Sequence, residues 1–251
     1  MAGTAVLGGL RWLVATVTEL RDETTTARTI VLDVPGWPGH QAGQHVDLRL
    51  TAEDGYSTER SYSIASASHG EHIELTVQVV PDGEVSPYLG RVLAVGYQIE
   101  LRGPVGGWFV WPATSSPNPT VLYAGGSGIV PLMAMVRARA LLGSAVPFRL
   151  VYSARRPEDV IYGDELAGYA ATDPGFTVSY VYTREGPADS SRRPGRIDEP
   201  TVSHAEFGRD SDVFVCGPNP FVETVTRLLG KAKHDPRRIR TERFGSQGGT
   251  S

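Results

Sequence analysis

Four short segments carry residue types able to grip a flat, charged ligand. In Gly125-Gly126-Ser127-Gly128-Ile129-Val130-Pro131, glycines lie between an apolar run and a helical stretch. Glycine lets the main chain approach a ligand, and the free N–H groups at a helix start favour an anion. A full G-x-G-x-x-G would need glycine where Pro131 stands, although proline is tolerated in a first helical turn. The same residues also suit a tight strand-to-helix turn with no ligand. In Arg60-Ser61-Tyr62-Ser63, strand alternation puts Arg60 and Tyr62 on one face, Ser61 and Ser63 on the other. Arginine can pair with phosphate, tyrosine can lie on a flat ring and serine can reach a heteroatom. An edge strand with its polar residues turned outward would read the same way. Cys216-Gly217-Pro218 ends a buried run just before a helix, where open parallel sheets bind ligands. A lone cysteine is equally a small buried hydrophobe. Thr241-Glu242-Arg243-Phe244-Gly245 sets an acid, a base and an aromatic on a terminal strand, which could simply seal the fold.

Elements must hold these segments in place. From Trp12 to Val110, apolar residues alternate or form short β-branched runs: Leu13–Leu20, Thr29–Val34, Val46–Leu50 and His72–Val80. Period two predicts strands, and Pro35-Gly36, Pro38-Gly39, Pro81-Asp82-Gly83 and Gly106-Gly107 predict turns between them. Six or so strands in about 100 residues imply a small antiparallel barrel or sandwich, with one helix near Val85–Leu93. Pro112–Pro119 has no apolar period and reads as a linker. Beyond it, strands alternate with helices. Strands are expected at Thr120–Ala124, Pro147–Ser153, Phe176–Tyr182 and Asp212–Cys216. Helices are expected up to Leu142, at Asp164–Ala171 and at Pro220–Leu229, while Glu185–Pro200 reads as an exposed loop. That rhythm predicts βαβ units and a parallel sheet covered on both faces. The expected division is 1–111, a linker at 112–119, and 120–251.

Composition narrows the classes. With 29 Gly and 18 Pro in 251 residues, an all-helical bundle is disfavoured. A net charge of −4 argues against a dedicated nucleic-acid binder. Only Lys231 and Lys233 are lysines; every other basic residue is arginine, which suits anion recognition and also fits a bias of base composition. One cysteine excludes an internal disulfide, a cysteine-ligated cluster and a cysteine-based zinc site, and no metal centre is expected. No apolar run is long enough to span a membrane, and the first residues lack the build of a signal peptide. The expected setting is cytoplasmic.

The four segments in this order resemble the ferredoxin–NADP reductase-like flavoprotein superfamily, whose motifs R-x-Y-S, G-G-x-G-I-x-P, C-G-P and E-R-F-G they match from about Trp12 to Gly245. The resemblance implies a six-stranded antiparallel flavin barrel followed by an α/β nucleotide-binding domain with a parallel sheet. It places Arg60 on flavin phosphate, Ser61 beside it, Tyr62 on the isoalloxazine and Ser63 near N5. Val77, Val79 and Val80 would flank the flavin, and Phe244 would lie near it. Gly83, Val85 and Ser86 match the family's second phosphate turn, which implies FAD ahead of FMN. Gly125, Gly126, Gly128 and Pro131 would cradle the nicotinamide dinucleotide together with Cys216, Gly217 and Pro218. Ser63, Cys216 and Glu242 would stand where hydride passes from nicotinamide C4 to flavin N5.

The second strand of the nucleotide domain ends Ser153-Ala154-Arg155-Arg156, with no acid until Glu158. Ser153 and Arg155, assisted by Arg156 or Arg184, could grip a 2′-phosphate, so NADPH is expected ahead of NADH. With a single cysteine, the resemblance implies an acceptor on another molecule, a ferredoxin or an oxygenase component. Reduction of free flavin or a small acceptor, and a flavin-holding regulatory subunit, are the alternatives.

Overall fold

In the computed structural model, described for residues 11–51, 55–112, 117–188, 193–205 and 207–244, the alternating first half forms six strands. They are β1 (Leu13–Thr24), β2 (Ala27–Asp33), β3 (His45–Thr51), β4 (Ser57–Ser63), β5 (His72–Gln78) and β6 (Gln98–Val105). Every pairing is antiparallel, in the order β4-β3-β6-β1-β2-β5. The two edges meet: Ile64 bridges Leu75, and Ala65 N–H donates to Glu74 O at 2.7 Å. The sheet therefore curls into a barrel. Its interior is the set that period two selects, including Ala15, Val17, Ile30, Leu32, Val46, Leu48, Ile73, Leu75, Ile99 and Leu101. Register shifts along β1, after Val17 and after Asp22, let one long strand pair with β6 at its start and β2 beyond.

The second half is a parallel sheet of β7 (Thr120–Gly125), β8 (Phe148–Ala154), β9 (Phe176–Tyr182), β10 (Asp212–Pro218) and β11 (Ile239–Phe244), ordered β11-β10-β7-β8-β9. Helices α1 (Ile129–Leu141) and α2 (Gly163–Thr172) cover the face turned to the barrel. Helices α3 (Glu199–Ala205) and α4 (Asn219–Lys231) cover the other. The strand order reverses between β7 and β10, so the crevice beyond their carboxyl ends is where such sheets take ligands.

The expected helix over Val85–Leu93 is present: Ser86 and Pro87 are helical, Tyr88–Val92 continue as a π-helical turn, Leu89 N–H donates to Val85 O at 3.1 Å, and Leu93 turns extended. Two element predictions need correction. The expected loop ends sooner than the composition suggested, since Asp198 accepts from Thr201 N–H at 3.0 Å and starts α3. Strand β5 stops at Gln78 rather than Val80, ahead of Pro81. Residues 113–116 of the linker, and Gly245 of the last motif, lie outside the described residues.

The two domains share one apolar core. Ala27, Ala42, Ala65, Phe109 and Trp111 from the barrel side pack in the same cluster as Met133, Phe148, Phe214 and Cys216. Phe109 meets Phe214 edge-on at 5.4 Å, and Trp111 meets Phe148 at 5.0 Å. Gly43, at φ +104°, lies against the Phe109 carbonyl and the tip of Met135 on α1, where a side chain would not fit.

Gly128 shows how tightly the sheet is built at its switch point. A Cβ there would collide with the Cys216 carbonyl of β10. Gly128→Ala should therefore cost on the order of 2–4 kcal/mol in denaturant unfolding. Gly168, exposed in mid-α2 with nothing within 4 Å of its Cβ position, is the contrast. Gly168→Ala should add roughly 0.5–1 kcal/mol. Equal shifts for the two would contradict the packing argument.

Candidate functional site

A cleft of about 580 Å³ opens between the barrel and the carboxyl ends of the parallel strands. Its barrel wall is Thr26, Gln78, Val79, Val80 and Arg91. Gly125, Gly126 and Ser127 after β7, Ser153 and Arg155 at the end of β8, and Pro218 after β10 form the opposite wall.

The glycines divide the work. Gly126 has φ +55° and open space around its Cβ position, so it makes the turn while its backbone faces the cleft. Gly125 packs on the Phe221 ring, Gly217 on the Gly125 backbone, and Gly128 on the Cys216 carbonyl. These three let the ends of β7 and β10 come together, and Pro131 is buried in the first turn of α1. Thus Gly128, Pro131 and Gly217 shape the cleft from behind and do not line it.

At the end of β8 the predicted cations separate. Arg155 reaches the cleft, whereas Arg156 turns to Glu158 at 3.8 Å and Glu185 at 3.6 Å. Arg184 is exposed and off the cleft wall. Arg196 takes the place expected of them, with Thr183 and Asp159 beside it. Sequence reading missed Arg196 because it lies in a stretch with no period. Tertiary contacts hold it: Gly195 N–H donates to Tyr182 O at 2.8 Å, and Ile197 is buried under the sheet. Arg91, which lies within the expected helix near Val85–Leu93, also lines the cleft and was not singled out. Among the described residues, Arg91, Arg155 and Arg196 make no ion pair.

On the barrel, Arg60 Nη2 lies 3.3 Å from Glu84, so β4 and the 83–86 turn form one surface. The turn is braced internally: Gly83 N–H donates to Val80 O at 2.9 Å, and Val80 N–H donates to Ser86 Oγ at 3.0 Å. The Ser86 hydroxyl proton is left to donate elsewhere. Ser61 donates to Asp47 at 2.6 Å, within a polar cluster that includes Arg102. Tyr62 packs partly on the barrel core, and burial pushes its phenol up to about 12. Val77 and Val85 point into that core, so of the three flanking valines only Val79 and Val80 line the cleft.

Three groups stand at the domain boundary. Cys216 is fully buried, and burial, with Glu242 nearby, raises its thiol well above the usual range, so it stays protonated. Glu242 pairs with Cys216 across β10 and β11, and burial pushes its carboxyl up to about 7. Glu242 Oε2 and Ser63 Oγ are both buried without a hydrogen-bond partner among the described residues. Buried polar atoms seldom remain unpaired, so both positions fit the polar edge of a bound ring. Ala65, two residues past Ser63, packs in the same cluster as Cys216. Phe244 packs at the rim of that cluster, opposite Pro218. Among the described residues no group of His, Cys, Asp and Glu could hold a metal, and no helix is long and apolar enough to cross a membrane.

The two halves match two known families separately. The oxidoreductase FAD-binding domain matches residues 16–110, and the oxidoreductase NAD-binding domain matches residues 122–227. Ferredoxin–NADP reductase B of Sorangium cellulosum is 34% identical, with 81% of this chain and 85% of that protein aligned. The toluate 1,2-dioxygenase electron transfer component of Pseudomonas putida is 28% identical over 81% of this chain and 58% of its own length. The chain spans little more than half of the first such relatives. Among solved structures, an Amycolatopsis cytochrome P450 reductase superposes with a TM-score of 0.82 at 30% identity, covering 94% of this chain and 70% of that one.

The burial of Glu242 carries a pH signature. The folded chain keeps the proton to about pH 7, whereas the unfolded carboxyl ionises near 4.5. Across that window the native state binds the extra proton, so its stability falls as pH rises and levels off above it. Glu242→Gln cannot ionise. It should match the parent near pH 4.5 and exceed it by about 1–3 kcal/mol at pH 8, read by thermal unfolding at both. A difference that ignores pH would contradict the assignment.

Proposed function

The chain belongs to the ferredoxin–NADP reductase-like flavoprotein superfamily, and from that premise we propose that it is an NAD(P)H-dependent reductase passing electrons to a separate ferredoxin or oxygenase component. The observation that carries this reading is the pair of unpartnered buried atoms, Ser63 Oγ and Glu242 Oε2, on the two sides of one domain boundary. When bound, a nicotinamide dinucleotide supplies a hydride, and a flavin takes up two electrons and releases them one at a time. The protein has to hold two rings together, exclude water and hold charge where it is needed.

Arg60 and the 83–86 turn are the anchor for flavin phosphates, which favours FAD over FMN. Ser63 donates to the ring edge, and Glu242, with its proton held near neutral pH by burial, stands ready to donate or accept beside it. Cys216, neutral and apolar in its setting, closes the floor. On the nucleotide side, the Gly126–Ser127 backbone meets pyrophosphate. Ser153 and Arg155, joined by Arg196, grip a 2′-phosphate. Three arginines against the single acid Asp159 on the cleft wall favour NADPH over NADH. The names of several relatives, which are electron transfer components or reductase subunits of oxygenases, support a separate protein acceptor.

Anaerobic titration of the flavin-loaded protein, first with NADPH and then with NADH, tests the reading directly. Bleaching of the flavin band by NADPH at lower concentration is expected, and no bleaching by either would end it. Arg60→Ala should weaken flavin retention roughly 10- to 100-fold, the loss of one charge-assisted bond of about 1.5–3 kcal/mol. Arg155→Ala should raise KM for NADPH about tenfold or more and KM for NADH less than about threefold. Equal effects on both would remove Arg155 from the 2′-phosphate.

A further inference from the structure

Arg137 lies on α1, the helix that begins at the glycine turn, yet its guanidinium serves the barrel. Its side chain is only 13% exposed. Nη1 donates to the Ala65 carbonyl at 3.0 Å and to Glu74 Oε2 at 2.9 Å, both in the barrel domain. Nε and Nη2 form a fork on the Glu165 carboxylate of α2, at 2.9 and 2.6 Å. The guanidinium also lies 5.0 Å above the Tyr162 ring.

Tyr162 forms the second part of this joint. Its φ of +62° is left-handed, which a residue other than glycine rarely adopts, and the ring is buried. From there its hydroxyl crosses the boundary and donates to Thr76 of β5. Thr76 shares a 2.7 Å hydrogen bond with Thr29, and Thr29 donates to Glu23 at 2.6 Å. A side chain from α1 and one from the start of α2 thus both grip β5 of the barrel, Arg137 at Glu74 and Tyr162 at Thr76.

The grip falls where the barrel closes. Ala65 and Glu74 are the residues whose backbone bond joins the two sheet edges, and Ala65 is two residues past Ser63. The other end of α1 carries the glycine turn that lines the cleft. Ring-to-ring transfer needs reacting atoms about 3–3.5 Å apart, and an error of about 1 Å can cost on the order of 100-fold in rate. The geometry points to Arg137 as a positioning residue: by tying α1 to Ala65 and Glu74, with Tyr162 as its brace, it sets the distance between the nucleotide turn and the Ser63 edge of the flavin site. This rests on the reductase reading given above.

Stopped-flow reduction of the flavin-loaded protein, together with small-angle X-ray scattering of the same samples, tests it. Arg137→Ala should keep its flavin and leave the half-saturating NADPH concentration within about threefold, while the limiting rate of flavin reduction falls about tenfold or more. Arg137→Lys, which can reach the barrel but cannot fork onto Glu165, should recover part of that rate. In scattering, Arg137→Ala should show a broader distance distribution than the parent, a readout that needs no turnover. An Arg137→Ala protein with the parent's limiting rate overturns the proposal whatever its scattering. Should that variant fail to fold, Glu74→Gln must show the same slowing to a smaller degree, and an unchanged rate there overturns it equally. Should the parent itself resist reduction by both NADPH and NADH, the reductase reading fails and the scattering comparison alone decides the clamp: unchanged curves reject it.

Discussion

Helix α1 has almost no face for water, and the rest of the molecule is arranged around that fact. Residues 129–136 are all buried, between the parallel sheet on one side and the barrel on the other. An ordinary surface helix keeps a polar stripe, whereas one apolar nearly all round must be covered on every side. Each fully buried Leu, Ile or Met contributes roughly 1.5–3 kcal/mol over its exposed state. A separation of the domains would give up much of that burial and expose Phe109, Trp111 and Phe214 as well. The barrel is thus half of the covering that keeps the helix dry. Arg139, buried at the far end, is accommodated only because the Val146 carbonyl and Asp173 receive its guanidinium.

The same covering creates the site. Packing the barrel against α1 and β10 brings the end of β4 beside the face of the sheet that carries Cys216 and Glu242. Water is driven from that boundary, which is why the Glu242 carboxyl rises to about 7 and the Cys216 thiol is held neutral. Where water is gone, an unpaired polar atom is costly, and Ser63 Oγ and Glu242 Oε2 are in that condition. The cleft, whose wall does not include these two residues, has glycine backbone on one side and valine on the other, with arginines among its lining. That is an apolar slot with cationic side chains, suited to a flat ring joined to phosphate.

Local rules made much of this legible. Alternation in β2, β3 and β5 and the apolar runs of β7 and β10 follow directly from which faces are buried, one in the barrel and both in the parallel sheet. The glycine turn after β7 was readable for the same reason: a strand-to-helix turn that must approach β10 admits no side chain at Gly128. What misled was composition without periodicity. The stretch carrying Gly195, Arg196 and Ile197 has no repeating pattern, yet a backbone bond to Tyr182 and a buried isoleucine place its arginine on the cleft. Val77 looked like its neighbours in sequence, but strand parity sends it into the barrel core while Gln78 faces the cleft.

By itself the sequence determined the two-domain order, the barrel, the parallel sheet and the glycine turn after β7 that lines the cleft, because each depends on periods and turn residues a few positions apart. Only the tertiary structure decided which arginines face the ligand space, since Arg155 and Arg196 are brought together from separate loops while Arg156 is drawn off by Glu158 and Glu185. It alone showed Arg137 bound to both domains, through partners 63 and 72 residues earlier in the chain and 28 later. Contacts of that range leave no local pattern, because they depend on how two finished surfaces meet.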